Sequence, residues 1–445
     1  MKKRKISRYL KPVFETNGDS AEWFGYYNYD PLNSDKTRML CNRSRSESLT
    51  IKKDDQIELG YYKIPSAEWV HIGFTDSWNW QQGAMMQWLP GEGNENKVIY
   101  NCSRDNRFFS VIKDVETGET KECSWPIYGI TPDGKKSISL DFERSYWCRA
   151  YHYQSVANPE KEGRIINGDG IFEIDLEKNE RRLLIDIRDV VGLNPDNNFQ
   201  EMKHWVEHIM INPSGTRFCF LHRFSPVNSV YQYRTRICVA NIDGTGLTVI
   251  PGWNTYMWSH FGWQNDSDFV IYTYKRPAFF KAFDLKESSP NAPHKPTLKE
   301  KVIKLAVTIK RKLPTSVTKL FMPKNSYYQH YVLKDNKYVL TGILNQSYFD
   351  IDGHPSFTSD GRFLLTDSYP DSHGYRRYVV YDTVTQKGMI VAKMPENKLE
   401  QNASCDLHPK LSRDNSSVIF DNTSMGKHSM LVLSLDWDAI KRKLK

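Results

Sequence analysis

The chain has 445 residues, 39% hydrophobic and 13% aromatic, with a formal net charge of +8 and a mean hydropathy of −0.62. Two or three average domains would fit that length, but some single domains run as long, and the expectation is a single domain over 1–445. The richness in Tyr, Phe and Trp is that of a water-soluble, β-forming protein; no run of about eighteen apolar residues offers a membrane span, and the basic start Lys2-Lys3-Arg4-Lys5 leads into Ser7, Arg8 and Tyr9 rather than the apolar stretch of a signal peptide.

The first elements are the weakest: Tyr26-Tyr27 is expected as an inner strand, followed by strands over 37–41 and 57–62. Clearer hairpins follow, each a turn signal before a short β run. Pro90-Gly91 precedes Val98-Ile99-Tyr100, Pro132-Asp133-Gly134 precedes Ser137 to Leu140, and Pro213-Ser214-Gly215 precedes Arg217 to Leu221. The series continues with Gln264-Asn265-Asp266 before Phe269, Ser359-Asp360-Gly361 before Arg362, and Arg413-Asp414-Asn415 before Ser417. Second hairpins turn at Thr117-Gly118, Lys178-Asn179, Asp243-Gly244 and Thr385-Gln386. Four strands per unit is the content of a propeller blade, and the units number about seven. The last unit lacks a fourth strand, which residues near Tyr9 to Phe14 are expected to supply, closing the ring and removing its exposed edges. The fold class is therefore all-β, a seven-bladed β-propeller.

The pattern breaks at 285–325, within the fifth blade. Ser288-Ser289-Pro290-Asn291-Ala292-Pro293 reads as a linker, and 297–313 reads as a helix stopped by Pro314. Leu298, Val302, Leu305, Ile309 and Leu313 line one face, with Lys299, Lys301, Lys304, Lys310, Arg311 and Lys312 over much of the rest. A basic amphipathic helix suits peripheral attachment to the anionic inner face of the cytoplasmic membrane, a docked protein partner, or packing on the propeller.

Aligning the units on Trp88, Ile130, Ile211, Trp263, Phe357 and Leu411 puts Met85, Ile127, His208, His260, His354 and His408 at one position, three residues earlier. Four consecutive blades thus carry histidine on the innermost strand, facing the central channel. Asp352 and Asp406 precede two of these by two residues, on the same face of an extended strand, where a carboxylate could fix the imidazole tautomer. The competing reading is structural, with each histidine bonding a neighbouring blade. Trp80, Gln81, Gln82, the pair His222-Arg223, Tyr369, Arg376 and Arg377 are further polar candidates, since aromatic faces stack on sugars and arginines pair with carboxylates. No phosphate loop, dinucleotide fingerprint, nucleophile elbow or zinc-protease helix is present, and no nucleic-acid partner is expected. The seven cysteines are dispersed, odd in number and without metal-ligand spacing, as expected of reduced core residues in the cytoplasm.

At Trp258-Ser259-His260-Phe261, at Asp352-Gly353-His354-Pro355-Ser356-Phe357 through Thr366-Asp367-Ser368-Tyr369-Pro370, and at Cys405-Asp406-Leu407-His408-Pro409, the chain resembles the oligogalacturonate lyase family of seven-bladed, TolB-like propellers. That resemblance implies a cytoplasmic lyase that cleaves an acidic, uronate-containing oligosaccharide by β-elimination. It also implies a histidine-bound divalent metal, often manganese, with His260, His354 and His408 as ligands. On this reading His208 or His260 is the base and Arg223 its electrostatic partner, while Trp80, Gln82, Tyr369 and Arg377 bind substrate. The family's Gln-x-x-His-x-His stretch is broken here by Ile351 and Ser356 around His354. The alternative is a non-catalytic propeller that binds a glycan or a protein in a polysaccharide assembly or uptake system.

Overall fold

A polar side chain at the end of the inner strand builds the repeated turn. Asn33, Thr131, Asn212, Thr358 and Ser412 each accept a hydrogen bond from the backbone N–H five residues on, at 2.8–3.1 Å. Such side chains hold the tight reversal that a residue at positive φ then completes, Lys36 or Asn415 in two of the turns and a glycine in the other three. Gly134, at φ 72°, shows why: a Cβ there would lie 2.0 Å from Pro90 O of the preceding blade.

The computed structural model describes residues 2–17, 19–46, 48, 50–148, 153–193, 201–226, 233–275, 326–396, 406–424 and 426–445. Seven antiparallel sheets follow one another along the chain, over 21–75, 87–123, 129–186, 203–249, 256–343, 355–395 and 410–435, and the strands of each run outward from the channel in chain order. They are blades 1 to 7 of a β-propeller. The expected ring closure is present: Leu10–Glu15 pairs with Ser429–Leu435 as the fourth strand of blade 7, with Leu10 opposite Leu435 and Glu15 opposite Leu431. Lys5–Ile6 adds a fifth strand to blade 6. The amino-terminal segment therefore fastens two blades whose own strands lie some four hundred residues later, covering edges that would otherwise be open.

Between blades the packing is apolar and tight, as with Tyr378 of blade 6 edge-on to Phe420 of blade 7 at 4.7 Å and 90°. Six described cysteines are free, all but the half-buried Cys102 being buried. A terminal helix, Trp437–Leu444, starts where Asp436 accepts from Ala439 N at 3.0 Å, and it buries Ile440 and Leu444. Among the described residues no helix is long and apolar enough to cross a membrane. The expected helix at 297–313, with the whole of 285–325, lies outside the described residues; the strands Phe269–Lys275 and Ser326–Lys334 pair within blade 5.

One expected element is different. The inner strand of blade 1 is Ala21–Trp23, not Tyr26-Tyr27. After Trp23 the chain leaves the sheet: Phe24 and Gly25 donate their N–H groups to Asp421 of blade 7, Tyr27 Oη donates to Phe261 O of blade 5 at 2.6 Å, and Tyr29 Oη to Tyr128 O of blade 3. Bonds to three separate blades place this segment across the channel. Two adjacent tyrosines look like strand residues by propensity, but here both rings are buried on the axis.

Candidate functional site

The aligned position marks an irregularity of the inner strand. In blade 4 the register slips between Glu207 and Met210, and in blade 5 between Trp258 and Phe261. Met85, His208 and His408 take left-handed backbone conformations, with φ of 55°, 51° and 40°. Bulges re-aim a side chain, and a non-glycine residue held at positive φ is strained. His208 and His408 thus carry strain where their imidazoles turn toward the axis.

There the four histidines converge on the tyrosine segment. Tyr26 stacks on His208 at 4.7 Å and meets His408 edge-on at 5.2 Å, while Tyr27 lies 5.2 Å from His354. The His260 and His354 ring centres are 4.0 Å apart, and those of His354 and His408 4.5 Å. His208, His354 and His408 are buried, whereas the His260 side chain keeps 15% of its surface open. His260 is therefore the ring a ligand could reach first.

Each ring has a distinct electrostatic setting. His354 Nδ1 lies 2.9 Å from Asp367 Oδ1, which also accepts the His354 backbone N–H at 2.7 Å. This approach depends on Gly353, where a Cβ would stand 1.9 Å from Asp367 O. Burial alone would raise the Asp367 carboxyl, but the His354 ring and its hydrogen bonds hold it below the usual range. His260 Nδ1 lies 3.1 Å from Asp352 Oδ1, leaving Nε2 without a protein partner among the described residues. Burial disfavours its charged form, yet the carboxylates around it, Asp352 first and then Asp406 and Asp367, together outweigh that and raise its pKa above 6.5. Burial first, then His354 and Lys410, push His408 well below 6.5, so it is neutral. Lys410, itself buried, donates to His408 O at 2.9 Å and to Asp421 Oδ2 at 2.6 Å.

The expected carboxylate pairing is thus rearranged. Asp352 serves His260 of the preceding blade rather than its near neighbour His354, whose partner is Asp367 from the next strand. Asp406 accepts from Arg376 Nη1 at 2.9 Å. Among the described residues, His354, Asp406 and His408 can each offer one donor atom with all three within 4.8 Å of one another. His260 falls outside that set, and Asp406 joins it. Two imidazoles and a carboxylate suit a divalent ion such as zinc or manganese. The buried His408 Nε2, with no hydrogen-bond partner, is the atom that a bound cation would satisfy.

The other anticipated residues divide. Tyr369 belongs to the cluster, 5.9 Å from His260 and 6.0 Å from His354, with the Arg376 guanidinium over its ring at 5.5 Å. Arg223 is committed to Glu207 at 2.7 Å; the same carboxylate takes the Trp205 indole N–H and lies 3.5 Å from His208 Nε2. Arg377 pairs with Asp350. Gln82 is buried and donates to Tyr128 Oη. Trp80 lies in a separate group, stacked on His428 at 4.9 Å with its N–H on Ser48 O. Near it a groove of about 500 Å³ opens on blade 1, lined by Arg43, Ser44, Ser48, Glu58, Phe74 and Trp78, and by none of the four histidines. His222 is a buried structural group: Arg236 Nε donates to its Nδ1 at 2.7 Å, and its Nε2 lies 3.0 Å from His204 Nδ1. Sequence reasoning missed Tyr26, Tyr27 and Asp367 as members of the central cluster; the one available signal was that Asp367 follows a second strand, beside the start of the first.

No family model matches the chain, and no curated protein matches its sequence. Among solved structures it is similar to an oligogalacturonate lyase from Vibrio parahaemolyticus, at 11% identity and a TM-score of 0.56, with 97% of each chain covered. It is also similar to an oligogalacturonate lyase in complex with manganese, at 12% identity and a TM-score of 0.58, covering 97% of this chain and 98% of that one. The seven-bladed propeller fold is shared over nearly the whole length.

Proposed function

We propose that the protein is a lyase acting on an acidic, uronate-containing oligosaccharide, with His260 as the base. The observation that carries this reading is the His260–Asp352 pair, which presents an open Nε2 at the accessible side of a buried histidine cluster, on the fold of a manganese-bound oligogalacturonate lyase. In β-elimination a base removes the proton on the carbon next to the carboxylate, the bond to the leaving sugar oxygen breaks as the double bond forms, and that oxygen takes up a proton to leave as a hydroxyl. Asp352 strengthens His260 for that task by favouring its protonated form. Tyr369 offers a ring face to a sugar beside the same imidazole. A divalent cation held by His354, His408 and Asp406 would supply charge neutralisation for the uronate carboxylate. Asp367 fixes the His354 ring, and Lys410 and Asp421 tie the His408 backbone to the tyrosine segment beneath.

The test is a panel of oligouronides, with and without added manganese, followed by ultraviolet absorbance of the unsaturated uronate. Product formation abolished by His260→Ala is expected; no absorbance change with any member would overturn the lyase reading. A second reading, glycan binding without chemistry, is favoured by one observation: Arg223, Arg376 and Arg377 are each already paired with a carboxylate. Oligouronide binding measured by calorimetry, without turnover, would select it.

A further inference from the structure

The two ends of the chain meet on the outer edges of blades 6 and 7. Residues 2–15, 384–393 and 437–445 hold twelve Lys or Arg against two carboxylates, Glu15 and Asp438, an excess greater than the +8 of the entire chain. Among the described residues only Arg4 of these twelve forms an ion pair, with Glu15. Lys5 stands directly opposite Lys393 in the sheet, and the Lys2 and Lys5 ammonium groups share the face of Tyr375 at 5.8 and 5.6 Å. Like charges opposed across a strand pair are unfavourable unless an anion lies over them. At the other end of this edge, the helix Trp437–Leu444 carries Lys441, Arg442 and Lys443 in its last turn. Thr385 Oγ1 and Lys387 Nζ bond the carbonyls of Leu444 and Lys445, so the turn before blade 6's outer strand and the helix end touch.

Apolar side chains stand exposed among these cations: Val384 at 71%, Val13 at 47% and Ile390 at 41%. We infer that this edge binds the surface of an anionic lipid bilayer. A membrane rewards both features, its headgroups attracting lysines and its interfacial layer taking up aliphatic groups. A single-stranded nucleic acid would draw on aromatic stacking instead, and aliphatic tips offer it little. The inference is independent of the lyase reading, since none of its residues belongs to the histidine cluster.

The experiment is co-sedimentation of the full chain with phosphatidylcholine vesicles, with and without phosphatidylglycerol, at about 0.1 M salt. The expected result is binding to the anionic vesicles only, weakened at least about tenfold by neutralising Lys441, Arg442 and Lys443 to Gln together with Lys5→Gln and Lys393→Gln. The three helix substitutions alone, all on exposed residues, should weaken it by a smaller factor, and circular dichroism checks that both variants fold. Absence of binding to anionic vesicles, or equal binding by the fivefold variant, would overturn the inference. So would tighter binding to an oligonucleotide than to vesicles, lost in the same variant.

Discussion

His260 and Asp352 meet across the boundary between blades 5 and 6, Nδ1 to Oδ1 at 3.1 Å, although ninety-two positions separate them in the chain. Asp352 also accepts, through its carbonyl, the backbone N–H of Tyr369 at 2.7 Å. One short segment thus orients the accessible imidazole and the aromatic ring beside it.

Because Asp352 is the strongest of the carboxylates that raise the His260 pKa against the opposing effect of burial, Asp352→Asn should lower it. The His260 ring would then stay neutral to lower pH, which an NMR titration of its ring proton measures. Turnover, where oligouronides are cleaved, should fall roughly 10- to 100-fold, as for other residues that orient a ligand or base. An unchanged titration would show that the pair has no electrostatic consequence.

Purified protein incubated with manganese should retain the ion through desalting, as read by elemental analysis. His354→Ala or His408→Ala should abolish retention, and Asp367→Asn should weaken affinity by roughly 10- to 100-fold, because it leaves the His354 ring unoriented. His260→Ala should retain the metal, since His260 stands outside the donor set. Loss of metal in that variant would restore His260 as a ligand.

Stability should fall with acid. The folded-state pKa values of His222 and His408 lie well below 6.5, so the unfolded chain binds more protons than the folded one as pH drops through that value. Their contribution is complete above about pH 6.5 and is lost progressively below it. Urea denaturation between neutral and mildly acidic pH should show the decline. His222→Asn should be less stable at neutral pH but shallower in its pH dependence, the remaining slope belonging to His408.

Lys410 and Asp421 form a fully buried ion pair, 2.6 Å apart. Removing one partner strands the other charge, so Lys410→Met should cost about 3–5 kcal/mol in denaturant unfolding. The double variant Lys410→Met with Asp421→Asn should recover part of that loss. If the single and double variants are equally destabilised, the cost lies in the released tyrosine segment, which Asp421 holds through Phe24 N and Gly25 N.

By itself the sequence determined the blades. Turns such as Pro132-Asp133-Gly134 are built from contiguous residues, and Thr131 bonds Lys136 N only five residues on, so local composition is enough to place them. The ring closure by Leu10–Glu15 and the shared position of His208, His260, His354 and His408 were legible for the same reason: a repeat imposes one register on every copy. Tertiary structure alone decided who partners whom at the axis. It gave Asp352 to His260 and Asp367 to His354, committed Arg223 to Glu207, grouped Asp406 with His354 and His408, and drew Tyr26 and Tyr27 out of blade 1. Those contacts cross from one sheet to another or reverse within one, and their distances follow from how seven twisted sheets pack around a common channel. No period of two or four strands along the chain carries that information.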